Sequence, residues 1–463
     1  MKVDRLIVGG DVALPGGIQA ADIAINDGLI KAVIRPGGDR PPSNEVIDAA
    51  GLLVMPGMVD VHVHTREPGY EHKETMETCT QAAAAGGVTT IFAMPNLNPA
   101  PTNLSVLREI LASYESTSLV DFNLNAAPTD PTQILPMADA GIAAFKIYMV
   151  VDTGREYPHP AGVGVHDHGR LLEIMEQIAP TGLPFMVHPH DQSLMDHIEQ
   201  GYWHAGDRSP AAYAKTLAAY DGLIWDTAVA VLVRLAEATG CRLHIVHVQT
   251  EGTLEMLRRA RARKLDVTSE VNHWALFLSR WSDVMNLGPY ALSYFVPDEA
   301  RTALWEGLTD GTVDIVSSDH APHTREEKDI GWSDMWAAHT GTPGIDFQLP
   351  LLLDSALRGM VSLERAVDAV TTRPADIFGL HNKGRIVPGA DADVALVDLS
   401  HTWTISDEDT FTKVGWSPYS GRQVQSKVIQ TMVRGVDVYK GGSVVGTPGH
   451  GTLAAPRSKG ERR

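Results

Sequence analysis

Apolar residues follow two different rhythms along the chain, and the rhythm changes near residue 56 and again near residue 380. In residues 1–55, short apolar runs (6–8, 23–25, 29–34 and 52–55) are cut by Gly-Gly, Asn-Asp-Gly and Pro-Gly turns, which predicts short strands. The stretch 384–450 has the same character, with runs at 394–398, 428–433 and 436–439. Two β-rich flanks around a different middle predict one small β-sandwich assembled from both chain ends, residues 1–55 and 381–450. Between them, apolar runs of strand length (58–64, 89–94, 120–126, 143–149, 184–188, 243–248, 266–271 and 313–318) alternate with helical patterns, among them 75–85, 104–113, 171–178, 224–239 and 252–263. Eight such alternations within 56–380 predict an α/β fold, a (β/α)8 barrel. An open doubly wound sheet competes, but no Gly-rich dinucleotide turn supports it. From Gly441 the chain is rich in Gly, Pro and Arg, and 451–463 reads as a tail of low order.

The polar residues fall at informative places in this pattern. His62 and His64, Lys146, His188, His247 and Asp319 each lie at or just past the C-terminal end of a predicted barrel strand, where barrel enzymes carry their chemistry. His62 and His64 alternate on a strand and so share a face; both can address one metal ion, or both can be satisfied core histidines. Lys146 ends the apolar strand Ala144-Phe145-Lys146-Ile147-Tyr148-Met149. It either snorkels to the rim or, if buried, loses its proton and becomes able to take up carbon dioxide. Asp319 can cap the following helix or bind metal and shuttle a proton. His244 differs from His247 in parity and reads as structural, and His190, two residues past a strand end, has no assignable direction.

Bulk properties narrow the function classes. With 38 basic and 57 acidic residues among 463, the formal net charge is −19, which argues against nucleic acid and anionic membranes as partners. Only Cys79 and Cys241 occur, both inside predicted elements, so free thiols in a reducing cytoplasm are expected. The start, Met1-Lys2-Val3-Asp4-Arg5, runs straight into a strand-like segment without a basic-then-apolar leader, and no apolar stretch approaches membrane-spanning length. A cytosolic protein is the expectation.

Taken jointly, the motifs resemble those of the dihydroorotase, hydantoinase and allantoinase group of metal-dependent amidohydrolases. The matching segments are Asp60-Val61-His62-Val63-His64-Thr65-Arg66-Glu67-Pro68-Gly69, Ala82-Ala83-Ala84-Ala85-Gly86-Gly87-Val88-Thr89-Thr90, Met94-Pro95-Asn96 and Ser318-Asp319-His320-Ala321-Pro322-His323. Gly341-Thr342-Pro343-Gly344 and the run from Lys383 to Asp393 extend the match over nearly the whole chain. The resemblance implies the same barrel and flanking sandwich. It further implies that His62, His64 and Asp319 hold one divalent metal ion and His188 and His247 another. Lys146, carboxylated by CO2, and a hydroxide would bridge the two, and Asp319 would move the proton. Zinc suits such a site best, with manganese or iron as alternatives. The implied reaction is opening or closing of a cyclic amide by metal-hydroxide attack, and the implied assembly is a homo-oligomer, a dimer or tetramer.

The ring itself is harder to read. Arg66 and Asn96 match residues that grip the ring carboxylate in dihydroorotases, although Arg66 could instead pair with Glu67; His323 joins them as an expected substrate contact. Around Asn272-His273-Trp274 the usual Pro-His-His or Pro-His-Tyr step is altered, so His273 is expected to stand in for the family's substrate histidine. Residues 291–297 are bulky and aromatic where dihydroorotases carry a lysine and an asparagine, and Val151 replaces a tyrosine usual in hydantoinases. An allantoinase- or hydantoinase-like enzyme, or a non-catalytic homologue serving as a scaffold, are the alternatives. The stretch 152–169, with His159, His166 and His168, reads as a lid whose histidines face solvent; Trp332 and Trp336 either wall the pocket or pack.

Overall fold

A computed structural model describes residues 2–150, 162–293 and 298–457. Val151 and His159, and Tyr294–Pro297 of the aromatic stretch, lie outside the described residues.

Eight parallel strands form the centre: β1 Met58–Val63, β2 Val88–Ala93, β3 Asp121–Leu124, β4 Phe145–Tyr148, β5 Phe185–His188, β6 Leu243–Ile245, β7 Val267–Asn272 and β8 Ile315–Ser317. Ladders join β1 to β2 to β3 and run unbroken from β4 to β8. A bridge from Ala126 to Phe145 connects β3 to β4, and a bridge from Val63 to His320 returns the sheet to β1. Both seams are parallel, so the sheet closes into the expected barrel. Every residue of β1 to β6 is buried, as a sheet with side chains packed inside and helices outside requires.

Helices follow the strands where the 3.6-residue pattern predicts them, and side-chain caps fix several starts. Thr75 accepts from Thr78 N at Met76–Ala85, Asn103 from Val106 N at Leu104–Thr117, and Thr250 from Thr253 N at Glu251–Ala262. The β5 unit is larger than the pattern implied. Helices Gln192–His204 and Pro210–Leu217 precede its return helix Leu223–Thr239 and pack with Trp336. Among the described residues no single helix is long and apolar enough to cross a membrane.

Both chain ends meet in one nine-stranded sheet, joined where Leu53–Pro56 pairs antiparallel with Val394–Thr404. Its two faces serve different cores through the two-residue alternation of a strand. Val394 and Leu396 pack with Ile7, Ile23, Ile47 and Met432 in the flanking unit, while Ala395 and Val397 join the barrel's core. At the junction the buried Lys383 ammonium pairs with Asp121 at the start of β3 and, at 2.8 Å each, with Asp391 and Asp393. Those three carboxylates could otherwise have grouped around a cation.

The expectation of a low-order tail from Gly441 fails for the residues described to Arg457. Ser443–Val444 forms an edge strand, and Thr452 O and Ala454 N hydrogen-bond Phe122 at 3.1 and 2.8 Å. Gly and Pro there serve docking against β3 rather than disorder. A Cβ on Gly451 would collide with the Val120 carbonyl.

Candidate metal centre

The six residues expected as ligands come from five strands, and the barrel gathers them at one end. His62 and His64, on one face of β1, both direct Nε2 at Asp319 Oδ1, at 3.2 and 3.1 Å. His188 ends β5 and its Nδ1 lies 3.0 Å from Nε2 of His247, just past β6. The ring centroids of His62 and His247 are 5.0 Å apart, and His62, His247 and Asp319 have ligand atoms all within 4.8 Å of one another. Lys146 on β4 is fully buried, its Nζ has no hydrogen-bond partner among the described residues, and it sits 4.7 Å from the centre of the Tyr148 ring.

A ring of outer contacts orients these groups. Glu270 on β7 takes His62 Nδ1 and lies 3.4 Å from His244 Nε2; the other nitrogen of His244 meets Thr268 at 2.8 Å, the structural role its parity implied. Asn96 Oδ1 meets His64 Nδ1 at 2.7 Å. In both cases the outer nitrogen is the natural donor, so Nε2 faces the centre and presents its lone pair once the imidazole is neutral. Trp274 Nε1 donates to Asp319 Oδ2 at 3.1 Å. Asp60, on the same face of β1, accepts from the backbones of His62 and Ser318 and ties β1 to β8.

Burial and charge set the protonation states. Burial alone would push His62 down, but the Glu270 and Asp319 carboxylates hold it up at about 9. His64 falls to about 4 through burial, with the Arg66 charge adding to it. Burial brings Lys146 down to about 7 against the pull of Glu270 and Asp319, so a neutral amine is accessible near neutral pH. Asp319 stays ionised despite burial, because the neighbouring imidazoles favour its charge.

The donor set fits a pair of divalent cations. Four buried imidazoles and one buried carboxylate converge, and the buried Lys146 amine beside them has no hydrogen-bond partner among the described residues. Three site residues, Arg66, His247 and Asp319, have left-handed backbones (φ 61°, 46° and 43°), conformations that cost about 1–3 kcal/mol each and gather at functional sites.

The expected substrate contacts are spread unevenly. Arg66 is buried; its Nε donates to Pro322 O at 3.2 Å and one terminal nitrogen meets His323 Nε2 at 3.0 Å. Among the described residues no carboxylate forms an ion pair with it, and Glu67 instead accepts from Met76 N at 2.7 Å. His323 in turn lies 3.4 Å from Glu327, which also binds Lys73 at 2.9 Å. Asn96 faces the centre with its oxygen committed to His64. His273 is packed against Gly344, where any Cβ would strike its ring, and its Nδ1 meets the Tyr419 hydroxyl. Trp274, not His273, is the residue of that turn in contact with Asp319.

Other readings resolve simply. His166 and His168 are exposed, and His190 is buried beside the Trp225 ring at 5.6 Å. Trp336 packs, donating to Glu199 at 2.8 Å, while Trp332 is about half exposed over Gly288. Trp274, Glu270 and Tyr148 were missed from sequence. Tyr148 shares the parity of Lys146, a signal that was available; the reach of Trp274 to Asp319 depends on a helical turn after β7 and left none.

With this geometry in hand, the relatives are informative. The profile of the Amidohydrolase family matches residues 53–438. The chain belongs to that family. It is 35% identical to the allantoinase of Rubrobacter xylanophilus over the full length of both. It is also 35% identical to the dihydroorotase of Staphylococcus epidermidis, covering 94% of this chain and 99% of that one. Among solved structures it is similar to the L-hydantoinase (dihydropyrimidinase) from Arthrobacter aurescens, with a TM-score of 0.92 at 30% identity over 98% of this chain and 100% of that one. This amidohydrolase thus lies among cyclic-amide hydrolases whose named substrates differ.

Proposed function

We propose that this amidohydrolase catalyses the reversible hydrolysis of a cyclic amide whose ring carries a carboxylate, a dihydroorotase-like reaction. Two divalent metal ions, zinc fitting best, would be held by His62, His64 and Asp319 and by His188 and His247, with carboxylated Lys146 shared between them. The observation that carries the substrate reading is Arg66: a buried guanidinium beside the centre with no ion-pair partner among the described residues. A buried charge without its counterion is costly, and a ring carboxylate supplies the counterion in the fork geometry arginine favours.

When bound, the metal pair supplies an activated water at neutral pH and Lewis-acid polarisation of the amide carbonyl. Asp319 accepts the proton of the attacking water and delivers it to the ring nitrogen as the C–N bond breaks, so one water is added across the amide. Trp274 fixes one carboxylate oxygen of Asp319, leaving Oδ1 toward the histidines. Glu270 and Asn96 hold His62 and His64 in the tautomer that presents Nε2 inward. Arg66 and His323, with Asn96 beside them, orient the ring; the anchorage of His323 through Glu327 and Lys73 stiffens that grip. His273 is left out of the proposed contacts because Tyr419 holds its Nδ1 and the Gly344 backbone packs against its Nε2 side.

The test is turnover of a panel by the zinc-loaded protein: dihydroorotate, allantoin, hydantoin and dihydrouracil. Dihydroorotate is expected to react, and Arg66→Ala to lower kcat/KM for it by roughly tenfold to a hundredfold, the worth of a charged hydrogen-bonded contact. Turnover of the uncharged rings only, or equal losses on both classes, would overturn the carboxylate reading. The full-length match to an allantoinase and the fold match to an L-hydantoinase favour a ureide or hydantoin as second reading, and the same panel decides between them. Zinc that does not bind at all would leave the scaffold alternative. The proposal includes a homo-oligomer, to be checked by sedimentation, and a cytoplasmic setting, which agrees with Cys79 and Cys241 being free and buried.

A further inference from the structure

Two lysines among the described residues have no exposed surface. One is Lys146, the proposed bridge of the metal centre. The other, Lys328, lies in the short helix Arg325–Asp329 after β8 and has no part in the reaction as described above. Its ammonium forms no ion pair among the described residues. It donates instead to three backbone carbonyls: Gly341 O at 2.9 Å, His339 O at 3.0 Å and Leu292 O at 3.4 Å. An ammonium has three N–H groups, so all three are used. Burial draws the amine down to about 7, and only the Glu327 carboxylate pulls it back up. An apolar side chain of similar length would fill the same space at a smaller desolvation cost.

What the ammonium holds is the turn that covers His323. The His339 ring stacks on the His323 ring, with centroids 5.0 Å apart and 24° between the planes. A Cβ on Gly341 would lie only 3.2 Å from His323 Cδ2, so the backbone of that residue comes close to the imidazole. The same turn is tied to the segment before it by Gly341 N, which donates to Leu292 O at 3.2 Å, and to the end of β8 by Ala321 N, which donates to Thr342 O at 3.0 Å. On its edges His323 meets Glu327 at 3.4 Å and a terminal nitrogen of Arg66 at 3.0 Å. Two successive residues of one short helix therefore act on one imidazole. Glu327 takes it from the edge, and Lys328 fixes the turn packed on its face.

We propose that Lys328 is a positioning residue for substrate binding: its ammonium clamps the 339–341 turn onto His323 and thereby sets the geometry in which His323 and Arg66 meet the ring. Small displacements of binding groups lower affinity for the reacting pose, so a buried clamp two contacts away from the ring can matter to KM. The inference rests on the reading of Arg66 and His323 as substrate contacts.

The experiment pairs steady-state kinetics on dihydroorotate with amide hydrogen exchange, both on the zinc-loaded protein. Lys328→Met is expected to raise KM by about tenfold, the loss of hydrogen bonds from a charged group, with kcat and metal content unchanged. Exchange should quicken in the 339–342 segment and not in β1 or β8. In an Arg66→Ala background the same substitution should cost less than about twofold, because the grip it serves is already gone. An unchanged KM, unchanged exchange in 339–342, or loss of metal together with kcat would each overturn the proposal. So would an equal loss in the Arg66→Ala background, which would make Lys328 a general stabiliser. If Lys328→Met does not fold, His339→Ala removes the ring stacked on His323 and leaves Lys328 in place. A smaller rise in KM is then expected, and a wild-type KM would overturn the proposal. Turnover of uncharged rings only would sink the carboxylate reading by itself. Exchange in 339–342 would still decide the clamp, quickened exchange confined there supporting it and unchanged exchange refuting it.

Discussion

On the β1 and β8 side of the centre, His62, His64 and Asp319 each have an outer partner, in Glu270, Asn96 and Trp274 respectively. On the β4 to β6 side, the Lys146 amine has no hydrogen bond among the described residues, and His188 Nδ1 lies against His247 Nε2. Outer hydrogen bonds orient the first half directly; in the second, the Lys146 amine has none among the described residues, so its proposed carboxylation would be the step that responds to carbon dioxide and to metal supply.

That contrast can be broken most severely at Lys146. Lys146→Ala is expected to remove activity and the second metal together, a loss beyond about a thousandfold given what metal activation of water supplies, with partial rescue by acetate or propionate. Metal analysis by mass spectrometry and turnover with and without the acid check it; full activity without acid would refute the bridging role. Glu270→Gln is expected to act on the other half, weakening metal affinity about 10- to 100-fold by loosening His62. Competition with a chelator reads that affinity, and a wild-type value would show that His62 needs no outer carboxylate.

A smaller effect belongs to Asn96→Ala. It should raise KM for a carboxylated ring and weaken retention of one metal by about tenfold, the low end for an outer hydrogen bond. Loss of substrate affinity alone would place Asn96 wholly on the substrate. Trp274→Phe keeps the ring but removes the donor to Asp319, a hydrogen bond to a charged group worth about 1.5–3 kcal/mol. A drop in kcat with unchanged metal content is the expected result, and no drop would mean that Asp319 is held by the histidines alone.

Much of this was legible in the chain before folding. The alternation of apolar runs gave the barrel, and the position of six polar residues at strand ends gave the centre. Strand parity put His62 and His64 on one face and set His244 apart from His247. Parity also placed Tyr148 with Lys146, a consequence overlooked. Other partners left no comparable trace. Trp416 Nε1 donates to His323 O at 2.8 Å and Tyr419 supports His273 from a segment more than 90 residues away, beyond any local pattern. Composition misled at the C-terminus, where Gly and Pro permit a close backbone approach to β3 as readily as they permit disorder.

The sequence by itself determined the barrel, the separate β-sheet built from both chain ends and the identity of the residues that gather at the strand ends, because these follow from periods of 2 and 3.6 residues and from chemistry at fixed offsets. Only the tertiary structure decided which atoms face one another: the pairing of Glu270 with His62, the reach of Trp274 to Asp319 and, among the described residues, the lack of an ion pair to Arg66. Those depend on closure of the sheet and on side-chain directions set by packing among segments far apart in sequence. A one-dimensional pattern does not encode distance between such segments.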